Sequence, residues 1–216
     1  MVYPNENEAR TMICEYGRRM YALGFVAGNE GNISCRVGEN EVWVTPTMES
    51  KGYMTPDMLI KLDLDGNRLE GELLPSSETL MHLGLYKASS GIAAVVHAHP
   101  PVATAFSCLG KNVPTTSLTE AVYLFGTELI VTPYAIPGTS GVPDSVRPYA
   151  NKCRALLLGN HGALTWAKTL KEAWFTMEIL EQYLKTYLIS EKLLGGPSAL
   201  PSAAVEMLLP TYEKSF

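Results

Sequence analysis

A single α/β domain is what this 216-residue chain predicts, and three observations lead there. At ~150 residues per domain the length points to one compact unit, residues 1–216, with room for a sizeable core. Stretches with the three-to-four-residue apolar spacing of helices alternate with short apolar runs of strand length. A composition of 46% hydrophobic and 18% charged residues excludes a disordered, highly charged chain, and the 18 glycines and 14 prolines follow no fixed period.

The elements follow in order. Ala9, Met12, Ile13, Tyr16, Met20 and Leu23 recur as one face of an amphipathic helix, with Gly24 placed to end it. After the glycine-rich run Gly28-Asn29-Glu30-Gly31-Asn32, residues 33–36 and 41–45 read as strands around the turn Gly38-Glu39-Asn40. A second strand pair is expected to bracket Asp65-Gly66. Ser76-Ser77-Glu78 precedes a helical stretch to about Ser89, where a serine can cap and an early glutamate suits the helix dipole. Residues 93–97 read as a buried strand, 129–132, 155–158 and 163–166 as further strands, and 142–150 as a helix. A long helix is expected over 170–194, broken by Gly195-Gly196-Pro197, with a short one over 203–209.

Seventeen basic against 22 acidic side chains, a formal charge of -5, argue against broad capture of nucleic acid while leaving room for a local anion pocket. The four cysteines stand singly, with no Cys-x-x-Cys pair. No run approaches the ~18 apolar residues of a membrane span and the first residues form no signal segment, so the expected location is the cytoplasm, away from membranes.

Chemistry-bearing residues concentrate in few places. His97 and His99 end a hydrophobic strand at i and i+2, which puts both imidazoles on one face and within reach of one metal; such a pair is equally compatible with ordinary core hydrogen bonds. His161 stands between Gly159-Asn160 and Gly162, where a sharp turn could bring it to the same ion. Together the three suit zinc with an open position for substrate oxygen, manganese or iron being the alternatives. Glu78 is the leading acid/base partner, against a plain role in offsetting the helix dipole. His82, one turn on, reads as a structural helix residue. Ser76 and Ser77 offer donors at a helix start, and Asn32, Thr47 and Lys51 lie in polar loops; together they suit either an anion site or a set of turns and caps.

The ordered set Gly31-Asn32-Ile33-Ser34, Thr45-Pro46-Thr47, Ser76-Ser77-Glu78, His97-Ala98-His99-Pro100 and Gly159-Asn160-His161-Gly162 resembles the class II aldolase/adducin family over nearly the whole chain. The resemblance implies a three-layer α/β/α domain around a central, mainly antiparallel sheet, assembled as a homotetramer with sites at subunit interfaces. It implies that His97, His99 and His161 bind Zn2+, that Glu78 is the catalytic acid/base, that Asn32, Thr47, Ser76 and Ser77 bind a substrate phosphate, and that Tyr212 is an active-site tyrosine from the C-terminal region. The implied reaction is reversible aldol cleavage of a ketose 1-phosphate such as L-fuculose 1-phosphate, giving dihydroxyacetone phosphate and an aldehyde. Alternatives within the superfamily are a 4-epimerase of L-ribulose 5-phosphate and a phosphosugar-acid decarboxylase; the non-enzyme alternative is an assembly module like the adducin head. Two positions depart from the family pattern. Met48 stands where a glycine is common, and Leu118 where a proton-donating tyrosine would fall, leaving Tyr123 and Tyr134 as further candidates.

Overall fold

The computed structural model describes residues 2–213. Seven strands form one sheet: β1 (Asn32–Gly38), β2 (Glu41–Val44), β3 (Ile60–Leu62), β4 (Arg68–Glu70), β5 (Ala94–Ala98), and, further along the chain, β8 (Ala155–Leu158) and β9 (Gly162–Ala167). Their order across the sheet is β4-β3-β2-β1-β5-β9-β8, and every neighbouring pair is antiparallel. A separate two-stranded ribbon joins β6 (Val113–Pro114) to β7 (Glu128–Leu129).

Alternation along the strands divides the core in two, because successive side chains point to opposite faces. Ile33, Cys35, Trp43, Ala94, Val96, Ala155 and Leu157 face one layer, shared with α1 (Glu6–Ala22), α3 (Pro101–Ser107), α4 (Thr119–Phe125) and α6 (Leu170–Leu193). Val42, Val44, Val95, Leu156, Leu158, Leu164 and Trp166 face the other, covered by α2 (Thr79–Ala88) and α5 (Gly141–Val146). The expected three-layer α/β/α architecture around an antiparallel sheet is the observed one. The seventh helix, α7 (Ser202–Glu213), packs on α4.

The local signals behave as their chemistry requires. Asn5 caps α1 by accepting from the Glu8 amide at 2.9 Å, and Thr169 caps α6 by accepting from that of Glu172 at 3.2 Å. The first helix begins earlier than its apolar spacing suggests because this cap precedes the first buried position, Ala9. Residues 142–150 divide into α5 and a 3-10 turn, Arg147–Tyr149, where Pro148 removes a backbone donor. The strand expected at 129–132 is shorter, ending as β7 with one further bridge from Val131 to Leu157. Among the described residues no helix is long and apolar enough to cross a membrane.

Candidate metal centre

The sheet carries the site at one end of its central strands. β5 places His97 opposite Asn32 of β1 on one side and Leu164 of β9 on the other, so its imidazole is fully buried. His99 follows where the chain leaves the sheet. Glu181 of α6 fixes that exit, its buried carboxylate accepting from the amides of Val102 and Ala103 at 3.2 and 2.8 Å at the start of α3. His161 comes from the β8–β9 turn, where Asn160 adopts φ 55°. The residue after His161 has to be glycine: a Cβ on Gly162 would stand 2.5 Å from His99 Cδ2 and 2.7 Å from the Ala98 carbonyl oxygen. The glycine thus lets the turn close onto the histidine pair.

The three rings gather with centroids 4.8–5.1 Å apart, and their ligand nitrogens all lie within 4.8 Å of one another. The chemistry of these donors tests whether a cation fits. His97 Nδ1 lies 2.9 Å from the Ala163 carbonyl oxygen, which can only accept, so that nitrogen carries the proton. His99 Nδ1 faces Glu30 Oε2 at 3.4 Å and is donor by the same reasoning. Both Nε2 atoms, 3.1 Å apart, then meet as lone pairs. That arrangement is repulsive without a shared cation, and the spacing is close to the about 3.3 Å expected between tetrahedral ligands bound at ~2.05 Å. The residues therefore fit a divalent metal.

Glu78 stands over this cluster. It occupies the N-cap position of α2, yet its carboxylate makes no capping bond. It instead accepts from Asn32 Nδ2 at 2.7 Å and lies 3.0 Å from His161 Nε2 and 3.5 Å from His97 Nε2. Its place at the start of α2 still suits the helix dipole, while its oxygens face Asn32 and the histidines. Burial alone would raise its pKa, but the charges of His97 and His161, with hydrogen bonds from His161 and Asn32, outweigh it and hold the carboxyl well below the usual range. Burial pushes His97 down to about 3 against the pull of Glu78, and lowers His99 as well. Burial thus disfavours a proton on His97 and His99, and the neutral form is the one in which an imidazole binds a divalent cation.

The polar loops converge on the same place. Pro46 bridges to Pro75 and the Thr47 amide donates to the Leu74 carbonyl at 2.9 Å, so the Thr47 loop and the serine pair are neighbours. Ser76 Oγ accepts from the Glu78 amide at 3.3 Å, while Ser77 is exposed and lies beside Gly138. Asn32 is buried, and its Oδ1 has no partner among the described residues. Met48 adopts φ 62°, a conformation that glycine favours, so the loop keeps a left-handed turn despite the departure in sequence.

Other residues lie elsewhere. The Tyr212 hydroxyl donates to the Lys152 carbonyl at 2.7 Å, before β8, whereas His161 lies beyond the other end of that strand. Leu118 packs against the core at the start of α4, and Tyr123 is part-exposed on that helix. Tyr134 lies in the segment that passes Gly159 and reaches Ser77 through Gly138. His82 is structural: buried in α2, with Nδ1 2.7 Å from Ser34 Oγ, which also meets the Tyr86 hydroxyl at 2.7 Å. Glu30 and Glu181 escaped sequence reasoning, since an acid in a glycine-rich loop and another on a long helix look like surface residues. The Glu30 carboxylate also accepts from the Ala27 amide at 3.0 Å, which makes it a loop brace as well as the partner of His99.

Known proteins share this architecture. Residues 11–188 match the family model described as Class II Aldolase and Adducin N-terminal domain. The chain is 34% identical to the 5-deoxy-D-ribulose 1-phosphate aldolase of Bacillus thuringiensis, covering 94% of this chain and 95% of that one. It is 33% identical to the 3-oxo-tetronate 4-phosphate decarboxylase of Haemophilus influenzae, covering 82% and 86%. Among solved structures it superposes on an L-fuculose 1-phosphate aldolase with a TM-score of 0.87 at 29% identity, over 95% of this chain and 96% of the other. With the match spanning both layers and every strand of the sheet, the chain belongs to the class II aldolase and adducin N-terminal domain family.

Proposed function

We propose that this enzyme catalyses the reversible aldol cleavage of a ketose 1-phosphate, L-fuculose 1-phosphate or a close relative, to dihydroxyacetone phosphate and an aldehyde. The observation that carries the reading is the facing pair of imidazole lone pairs at 3.1 Å with Glu78 beside them, a site that a scaffold has no need of. A divalent metal, zinc first and manganese or iron as alternatives, would supply Lewis acidity that stabilises the electron pair left when the carbon–carbon bond breaks.

The side chains of this chain do the rest. His97, His99 and His161 hold the ion; the carbonyl of Ala163 and the carboxylate of Glu30 set the tautomers of the first two. Glu78 shuttles the proton that leaves the substrate hydroxyl and returns it to the carbon holding the electron pair, with Asn32 orienting the carboxylate. Ser76, Ser77, Asn32 and Thr47 bind the phosphate, two of them at the start of α2, where backbone donors favour an anion. Tyr212 serves as a proton donor only if a neighbouring subunit brings it to this cluster, and a homotetramer with sites between subunits is the assembly we infer.

Decarboxylation of a phosphorylated 3-oxo acid is the second reading, favoured by the Haemophilus influenzae relative. It leaves the same kind of electron pair beside a carbonyl. The aldolase reading comes first because the aldolase relative matches a larger share of both chains. Incubating metal-loaded protein with ketose 1-phosphates, 3-oxo acid phosphates and L-ribulose 5-phosphate, with products identified by NMR, tests both. Dihydroxyacetone phosphate and an aldehyde are expected; carbon dioxide or an epimer would replace the aldolase reading, and no turnover would favour an assembly role.

A further inference from the structure

Two lysines among the described residues are buried, and they are buried differently. Lys61 on β3 is surrounded by acids, with Glu6, Glu41 and Glu70 at 2.6, 3.3 and 3.2 Å. Lys51 is 1% exposed, and its ammonium donates only to backbone carbonyls, those of Asn29 at 3.0 Å and of Glu49. Among the described residues no carboxylate lies within ion-pair distance of it. An ammonium has three N–H groups, and burying one without a counter-charge is costly unless an anion completes the site.

Its place in the fold gives that anion an identity. The carbonyl of Asn29 belongs to the loop leading into Asn32, and the carbonyl of Glu49 to the loop that carries Thr47. Helix α1 presses the second loop inward so closely that a Cβ on Gly17 would stand 2.6 Å from the Lys51 carbonyl oxygen. The segments that assemble the site are 28–34, 45–52, 75–82, 95–101, 132–138 and 159–163. They contain three glutamates, Glu30, Glu49 and Glu78, and Lys51 is their sole lysine or arginine. A phosphorylated substrate would add about two negative charges to that acidic surround.

We propose that Lys51 is the cationic anchor for the substrate's phosphate, holding it at the seam between the Asn29 and Glu49 loops. The proposal rests on the phosphorylated substrate inferred above and adds to it a binding residue at a position outside the five family-like segments. Burial brings the Lys51 ammonium down to about 8, with Glu49 and Glu78 pulling it back up. On the α1 side the titratable neighbours are Tyr21, which packs on Gly52, and Tyr53 against it; Tyr21 is raised by its hydrogen bond with Tyr53. The anchor therefore carries its charge at neutral pH and loses it above about pH 8.

The test uses sulfate, which stays dianionic across the range, titrated into metal-loaded protein at pH 7 and pH 9.5, with metal content and melting measured alongside. Lys51→Met should weaken sulfate binding at pH 7 by roughly 10- to 100-fold, the weight of one charge-assisted hydrogen bond. The parent should lose affinity between the two pH values. Lys51→Arg, always charged, should hold it. Should Lys51→Met fail to fold, the contrast between the parent and Lys51→Arg decides the matter. Parent-like affinity in a folded Lys51→Met protein, or a parent and an Arg variant with the same pH profile, would overturn the proposal. Substrate turnover separates the two ideas: cleavage of the phosphorylated ketose with undiminished preference in Lys51→Met removes Lys51 and leaves the reaction. Lys51-dependent sulfate binding in a protein that cleaves no sugar phosphate keeps the anchor and removes the reaction.

Discussion

Acidification should weaken this fold through one residue that takes no part in the metal site. His82 is completely buried in α2, one of its ring nitrogens engages Ser34, and the other has no partner among the described residues. Burial pushes its pKa down to about 3, only partly opposed by the charge of Glu78. In the unfolded chain the imidazole titrates near ~6.5, so below that pH the unfolded state binds a proton the native state refuses. The sign follows: the contribution of neutral His82 is fully present above pH ~6.5 and is lost as pH falls toward 3. Between pH 7.5 and pH 5 the loss from this one group is about 2 kcal/mol. Urea unfolding at the two pH values, with excess chelator so that metal release plays no part, measures the total loss. His97 and His99 contribute in the same direction, so the diagnostic comparison is with His82→Asn, whose amide occupies the Nδ1 position and does not titrate. The variant should lose about 2 kcal/mol less than the parent. Parallel losses in the two proteins would refute the reasoning.

The remaining predictions follow from the same structure. Met48→Gly should raise stability by about 1 kcal/mol, because a non-glycine side chain at φ 62° is strained; unchanged or lower stability in urea would mean that the turn is not strained. Glu78→Gln should keep the fold and most metal binding while slowing the chemical step by at least roughly 10²-fold, read by pre-steady-state turnover at saturating substrate. Active protein should sediment as an oligomer and lose activity when dilution breaks it apart; a fully active monomer would contradict a site shared between subunits.

Much of this structure was legible in the sequence, for reasons particular to each element. Strands β5, β8 and β9 are buried on both faces and read as continuous apolar runs, and α6 follows a threonine cap. Helix α3 was missed because Pro100-Pro101 looks like a terminator, although proline at a first helical position lacks only an amide that would go unused. Helix α4 is one short stretch of seven residues, too brief for its spacing to show a period. The histidines were visible because His-x-His and a glycine-flanked histidine are uncommon patterns, and Glu78 because it follows two serines at an expected helix start. Glu30 and Glu181 were less visible for the opposite reason, since ordinary charged residues in loops and on helices carry no mark of the carbonyls and amides they meet in the fold.

The central claim is that His97, His99 and His161 form one divalent metal centre, and direct titration of metal tests it. Protein stripped with chelator, then titrated with Zn2+ against a competing indicator, should bind one ion per chain. Each of His97→Ala, His99→Ala and His161→Ala should weaken that binding by roughly 100-fold or more, since each removes one of three ligands from the same ion. Stoichiometric binding undiminished in all three variants would contradict the account.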